Sequence, residues 1–352
     1  MRNRGSYQRV VSAWRVAKPA LTGLLLAFAL ATGVSASETN LKFSLDRSFE
    51  GPAAPFLLPL DKGYYKAEGL NVSIDPADNP SDPLRRIASG AYDMGVADIN
   101  ELIKFRDANP KAAMKAVFIV YNKPAYAVIG RRSRGIGTPK SLDGKKLGVF
   151  TDDEAFAQWP IFVKANDLDT SKITIDQVGL TVREPILAAG QVDAITGLSF
   201  ISVVDLKDKG VPADDLVVLL MADYGVDLYG NAIIVSPKFA EVHPEAVKGF
   251  LRAFLKGLKM AVKSPAATIN FVLERNNSAR KNPELERLKM VIHDNIVTPE
   301  VRANGYGGVD TGRLARAIQQ IAQSYKFKSP KPTPDDIFDP SHLPPAADRA
   351  AN

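Results

Sequence analysis

Few residues in this chain are spaced to do chemistry by themselves. The three histidines, His243, His293 and His342, are far apart, and none has a second donor at the i+4 spacing that puts two ligands on one helix face. The chain has no cysteine. That removes disulfides, thiolate metal sites, a cysteine nucleophile and the lipid-bearing cysteine of a lipoprotein. Neither a GxSxG elbow nor a phosphate loop is present, and the glycines of "RGIGTPKS" precede an apolar run instead of following one. A serine triad assembled from distant residues would leave no local signal. Nothing therefore supports an enzyme, a cofactor or a metal.

Polar and aromatic residues do recur just after apolar runs. Arg47, Phe49 and Glu50 lie in "LDRSFEG", Asp98 and Asn100 in "ADIN", and Asn122 in "NKP". Thr151, Asp152 and Phe156 lie in "TDDEAFAQW", and Thr196 in "TGLSF". One such segment would be read as a helix cap. Five in order point to a shared cleft, because ligands of open α/β sheets bind at the carboxyl ends of the strands.

The elements that must carry these residues are short apolar runs alternating with helical patterns, which indicates an α/β fold. Strands are expected at 41–45, 70–74, 92–97, 115–120, 125–130, 146–150, 193–197, 216–220 and 231–235, most of them apolar enough for buried parallel pairing. "PFLLPLDKGYYKAEG" reads as one helix ended by Gly69. Val247, Phe250, Leu251, Phe254 and Leu258 repeat with helical spacing from Pro244, and a last helix is expected from its N-cap Asp310. Beyond Tyr325 the Pro-rich segment predicts a tail, extended and then disordered.

Composition sets the compartment. The net charge of +6 comes mainly from Arg2, Arg4, Arg9, Arg15 and Lys18; without residues 1–36 the chain has 40 basic against 39 acidic residues. A nucleic-acid partner thereby loses its support. Residues 1–36 have a basic start, an apolar core from Ala20 to Leu30 and a small-residue end at Val34-Ser35-Ala36. This predicts a secretory signal peptide cleaved after Ala36 and a protein released to the periplasm, since spanning a membrane needs about 20 apolar residues.

"DKGYYKAEGLNVSI", "IASGAYDMGVA", "TPKSLDGKKLGVF" and "ILAAGQVDAITG" occur in that order. Together they resemble the periplasmic substrate-binding proteins of the nitrate/sulfonate/taurine class of ABC importers, which includes binders of thiamine pyrimidine precursors. The resemblance implies two α/β lobes of the type II-like binding-protein fold, with the cleft between them and two crossing hinge strands. These are expected at "AYAVIG" and "YGNAIIV". Lobe I would comprise 37–129 and the helical 229–328, lobe II 130–228, and the tail 329–352. It also implies that Tyr64 and Tyr65 are core residues while the loop before them faces the ligand. The partners implied are a small molecule and, transiently, a permease, with the binding protein itself a monomer.

Within that class the "Leu45-Asp46" pair resembles the pyrimidine-precursor branch, which tends to continue with Trp and a later His. Here Arg47 and Ala53 stand at those places. The related pyrimidine-making enzymes use a cysteine-rich motif that this chain lacks. Helix N-termini attract anions, yet Asp152, Asp153 and Glu154 are expected to open the helix after "LGVF", where carboxylates already fill the positive end. The ligand expected is neutral or cationic, nitrogen-bearing and partly flat. Phe49, Phe156, Trp159, Tyr224 and Tyr229 are the stacking candidates, Asp152 and Asp98 the favoured acids, and Arg47 and Arg183 the alternative anion holders.

Overall fold

The computed structural model describes residues 38–351; the expected signal peptide lies outside them. Ten strands form two five-stranded sheets. The first has the order β2-β1-β3-β10-β4, from β1 (Thr39–Ser44), β2 (Leu70–Asp75), β3 (Met94–Asp98), β4 (Lys115–Ile119) and β10 (Asn231–Val235). The second has the order β7-β6-β8-β5-β9, from β5 (Tyr126–Arg131), β6 (Lys146–Val149), β7 (Thr174–Gln177), β8 (Ala194–Leu198) and β9 (Leu216–Leu220). The chain changes sheet twice, between Ile119 and Tyr126 and between Leu220 and Asn231.

All nine expected strands form, but the pairing is mixed. β1 pairs in parallel with β2 and β3, and β6 with β7 and β8. The strands entered by crossing, β10 and β5, run antiparallel to both of their neighbours. They arrive from the other lobe and so meet the sheet from its opposite end. The additional strand, β7, is the polar "TIDQ", largely exposed at the sheet edge, and carries no apolar signal.

The two crossing segments touch. Gly230 N donates to Tyr121 O and Tyr121 N to Asn231 O, both at 2.9 Å. A Cβ on Gly230 would stand 2.9 Å from Pro124 Cα, so this close approach requires glycine.

The core of the first lobe is aromatic. Phe43 stacks on Phe250, which stacks on Tyr65, and Phe56 meets Phe254 at 4.5 Å. The helix Pro244–Lys263 supplies this face with the expected Val247, Phe250, Leu251, Phe254 and Leu258, all buried. The segment expected as one helix breaks into Ala54–Asp61 and Tyr64–Ala67, because Gly63 takes φ +68°. Tyr65 is buried as expected. Tyr64 is half-exposed instead, its hydroxyl on Met260 and its ring 3.9 Å from the Lys256 ammonium.

The Pro-rich tail also differs from expectation. It folds into the short turns Pro334–Ile337, Pro340–His342 and Ala346–Arg349. Ile337 and Phe338 are buried, and Asp339 N donates to Ala116 O on β4. β4 is an edge strand with unpaired backbone groups, and the tail covers it.

Candidate functional site

Three hollows follow the seam between the sheets. The outer one, about 940 Å³, is lined by Asp78–Ser81, Glu101 and Lys104 from the first lobe and by Phe150–Glu154, Leu180, Arg183 and Asp205 from the second. Its size is that of a small-molecule site. Two inner hollows of about 20 and 10 Å³ lie against the crossing segments and share Asp46, Arg47, Tyr121, Phe200 and Asn231. Each has room for about one water. Arg47 lines all three, and Glu154 lines the outer cleft and one inner hollow, so this pair stands between them.

Each inner side chain is held by its place in the fold. β1 ends at Ser44 and delivers Asp46, Arg47 and Glu50 on the following loop. Arg47 Nη2 donates to Glu154 Oε2 at 2.9 Å, joining the two lobes, and its Nε lies 3.6 Å from Asp46 Oδ2. Asp46 also accepts from Asn231 Nδ2 at 2.8 Å, at the start of β10. Asp98 ends β3 and caps the helix Ile99–Ala108, accepting from the amides of Asn100 and Glu101 at 2.7 and 3.2 Å. The hydroxyl of Tyr126, at the start of β5, also donates to Asp98.

Carboxylates outnumber cations here. Asp46, Glu50, Asp98 and Glu154 line the inner hollows, with Arg47 the cation among the lining residues. Burial raises the Glu154 carboxyl to about 8, although Arg47 pulls it down, and Asp98 and Asp46 add to the rise. Burial likewise raises Asp98 to about 6 against its hydrogen bond from Tyr126, and it raises Glu50 against the pull of Arg47. Burial disfavours the Arg47 charge too, but Glu154, Asp46 and Glu50 outweigh it and hold its pKa above the ordinary value. Glu50 Oε2 is buried with no hydrogen-bond partner. The walls between these acids are Tyr121, Tyr126 and Phe200.

The structure brings together only part of the expected set. Arg47, Glu50 and Asp98 line the inner hollows. Asn100 stands behind them, donating to Tyr126 Oη at 3.1 Å and Tyr229 O at 2.7 Å. Thr151 and Asp152 are exposed at the outer cleft, and it is Glu154 that faces inward. These acids occupy a turn, not the first turn of a helix: Pro160 fixes the helix start at Trp159–Ala165, after the single turn Phe156–Gln158. Thr196 is buried on β8 beside Asp153.

The stacking candidates lie elsewhere. Phe49 packs on the first lobe's core, its carbonyl accepting from Asn276. Trp159 stacks on Phe162, which meets Tyr224 edge-on, and Phe156 packs against the same core. Tyr229 lies under Arg313 at 4.0 Å, and Asn122 accepts from the same guanidinium and from the Thr298 hydroxyl. Arg183 is not free for an anion: it pairs with Asp153 at 3.2 Å and with Glu184 at 2.7 Å. Sequence reasoning missed Asp46, Tyr121, Tyr126, Phe200 and Asn231 as lining residues. The usable signal was position, since four of them flank the two crossings or start the helix after β8.

At two helix starts the amide groups are already occupied. The Asp98 carboxylate fills the N-terminus of Ile99–Ala108, and Glu284 Oε2 takes the Gly51 amide at 2.6 Å, just before the helix Ala54–Asp61. The site can accept hydrogen bonds and hold positive charge far better than it can hold an anion.

Two lobes of this topology around a polar seam define the fold of ABC-importer substrate-binding proteins. The periplasmic aliphatic sulphonate-binding protein SsuA from Escherichia coli superposes with a TM-score of 0.67 at 14% identity, over 87% of this chain and 94% of that one. Residues 52–268 match the family described as "NMT1/THI5 like", and the chain belongs to it. Relatives include the 4-amino-5-hydroxymethyl-2-methylpyrimidine phosphate synthase of Schizosaccharomyces pombe, 27% identical over 61% of this chain and 65% of that protein's length. Another is the formylaminopyrimidine-binding protein of Halalkalibacterium halodurans, 26% identical over 62% of this chain and 66% of its own. Among the described residues no helix is long and apolar enough to cross a membrane.

Proposed function

We propose that this chain is an extracytoplasmic binding protein that captures a small, flat aminopyrimidine-like molecule and hands it to an ABC-importer permease. The observation that carries the reading is the surplus of buried and half-buried acceptors over cations at Asp46, Glu50, Asp98 and Glu154 around Arg47. A planar ring rich in N–H groups would satisfy these carboxylates, while Tyr121, Tyr126 and Phe200 would cover its faces. A sulfonate or nitrate would meet repulsion instead. The lobes close on the ligand by bending at the paired crossing segments.

The S. pombe relative's name makes catalysis the second reading. Against it stand the absence of cysteine and the placement of the histidines. His243 precedes the helix Pro244–Lys263, His293 is exposed, and His342 is buried in the tail; none lines the hollows of the seam. The test is calorimetric titration with formylaminopyrimidine, with an alkanesulfonate as control, followed by mass spectrometry of the recovered ligand. One-to-one binding of the pyrimidine, returned unchanged, is expected. Preference for the sulfonate overturns the ligand class, and a chemically altered product overturns the binding-protein reading.

A further inference from the structure

Arg47 occupies an unusual position for a binding residue. Its guanidinium is a planar cation with a fork of N–H donors, and it sits where the proposed ligand should sit. It donates to Glu154 and lies within 3.6 Å of Asp46, with Glu50 and Tyr121 adding to its surroundings. Glu154 belongs to the second lobe and Arg47 to the first, so the pair also ties the lobes together across the seam. With it in place, the inner hollows have room for about one water each. A ligand coming from the 940 Å³ outer cleft must pass Arg47 and Glu154, since both line that cleft as well.

We propose that Arg47 is a built-in competitor for the ligand: its guanidinium fills the carboxylate cage of Asp46 and Glu154, and binding requires its displacement by the N–C–N fork of the incoming ring. This rests on the reading of an aminopyrimidine-like ligand and adds how the site selects it. An incoming group must match a guanidinium in planarity and donor pattern to exchange with it, and the ring does so when the nitrogen beside its amino group takes up a proton from water, so that both atoms of the N–C–N edge donate. Anions and simple alkylamines cannot make the exchange, the first by charge and the second for lack of a fork. Glu154 passes from Arg47 to the ligand and is never left as an unpaired buried charge, which would be costly. Arg47 thereby sets specificity.

The test uses the full-length mature protein with two probes, 4-amino-2-methylpyrimidine and the guanidinium ion, in wild type, Arg47→Ala and Arg47→Lys. Removing the competitor should tighten pyrimidine binding about tenfold in Arg47→Ala, the scale of one charge-assisted hydrogen bond, with Arg47→Lys in between. Millimolar guanidinium should raise the melting temperature of Arg47→Ala relative to equal sodium chloride, and leave wild type unshifted because its cage is filled. Weaker pyrimidine binding in the variants, or no guanidinium-specific stabilisation of Arg47→Ala, overturns the proposal. If guanidinium stabilises Arg47→Ala but no protein binds the pyrimidine, the competitor stands and the ligand class falls. Should Arg47→Ala not fold, Arg47→Lys decides alone: tighter binding than wild type supports the exchange, and weaker binding ends it.

Discussion

Two arginines, Arg313 buried and Arg47 half-buried, separate architecture from recognition in this molecule. Arg313 is completely served. Its Nε donates to Asp227 at 2.7 Å, Nη1 to Glu300 at 2.6 Å, and Nη2 to the Asn122 and Leu228 carbonyls at 3.0 and 2.8 Å, while its plane covers Tyr229. Those partners come from both crossing segments and the helices beyond them, so Arg313 rivets the crossings to the first lobe. Arg47 has one hydrogen bond, to Glu154, amid more acids than it can neutralise. A satisfied network fixes geometry, whereas a surplus of acceptors stores a demand that a ligand can meet.

The largest effect should follow from breaking the satisfied arginine. Arg313→Met takes the guanidinium from Asp227, Glu300 and Asn122, which keep only Arg316, the Tyr229 hydroxyl and the Thr298 hydroxyl as donors; losing one side of a buried ion pair costs about 3–5 kcal/mol. The lower end is expected, because Asp227 is half exposed. Chemical denaturation should show that loss, with ligand affinity in the still-folded protein close to wild type. A variant that melts normally would reduce Arg313 to a surface-type pair.

Changes in the acceptor cage should do the reverse. Asp98→Asn keeps a good N-cap for Ile99–Ala108, since Asn caps as well as Asp, and keeps an acceptor for the Tyr126 hydroxyl. It removes a charge that a ligand donor would use, so affinity for an aminopyrimidine should fall about ten- to a hundredfold. Stability should hold or rise, because a neutral amide has no buried charge to desolvate. Unchanged affinity on titration would move the binding position away from β3.

A subtler contrast lies in pH. Glu154 and Asp98 are raised by burial to about 8 and about 6. The folded state thus keeps protons that the unfolded chain gives up. Their stabilising contribution is complete below the unfolded carboxylate range, about pH 4, and is lost as pH rises through 6 and then 8. Glu154→Gln resembles the protonated form at every pH. Relative to wild type the variant should therefore gain stability as pH rises from 5 to 9, which paired melting curves will show. A constant difference across that range means that Glu154 is ionised throughout.

The contrast between the two arginines also marks what was legible beforehand. Apolar runs reveal strands because burial and strand propensity select the same residues, and nine strands were readable for that reason. β7 was not, since an exposed edge needs no apolar face. Arg47, Glu50 and Asp98 could be found as polar residues at strand ends. Tyr121 and Tyr126 could not, because each looks like an apolar residue of its strand until the crossing is known. Asn122, Tyr229 and Tyr224 looked equally functional in sequence; in the structure Asn122 and Tyr229 contact Arg313, and Tyr224 packs on Phe162. Which acid of "TDDE" turns inward depends on the turn ahead of Trp159, and no periodicity reports it.

The smallest effect is expected at Asp152, the acid that stands nearest the strand end in sequence. Its side chain is exposed on the rim of the outer cleft, it makes no hydrogen bond or ion pair among the described residues, and it lies before the helix Trp159–Ala165 and not within its first turn. It can neither serve the helix dipole directly nor reach the inner hollows lined by Glu154. Surface substitutions of this kind stay within about 0.5 kcal/mol. Asp152→Ala should thus melt like wild type and bind with less than about a twofold change. Its remaining influence is long-range attraction of a cationic ligand to the cleft mouth, and losing it would lower the association rate slightly and only at low salt. Stopped-flow binding at two ionic strengths resolves this. A large affinity loss with no salt dependence would show that Asp152 turns inward in the complex and shares the cage with Glu154, which would place the ligand nearer the cleft mouth than the crossing segments.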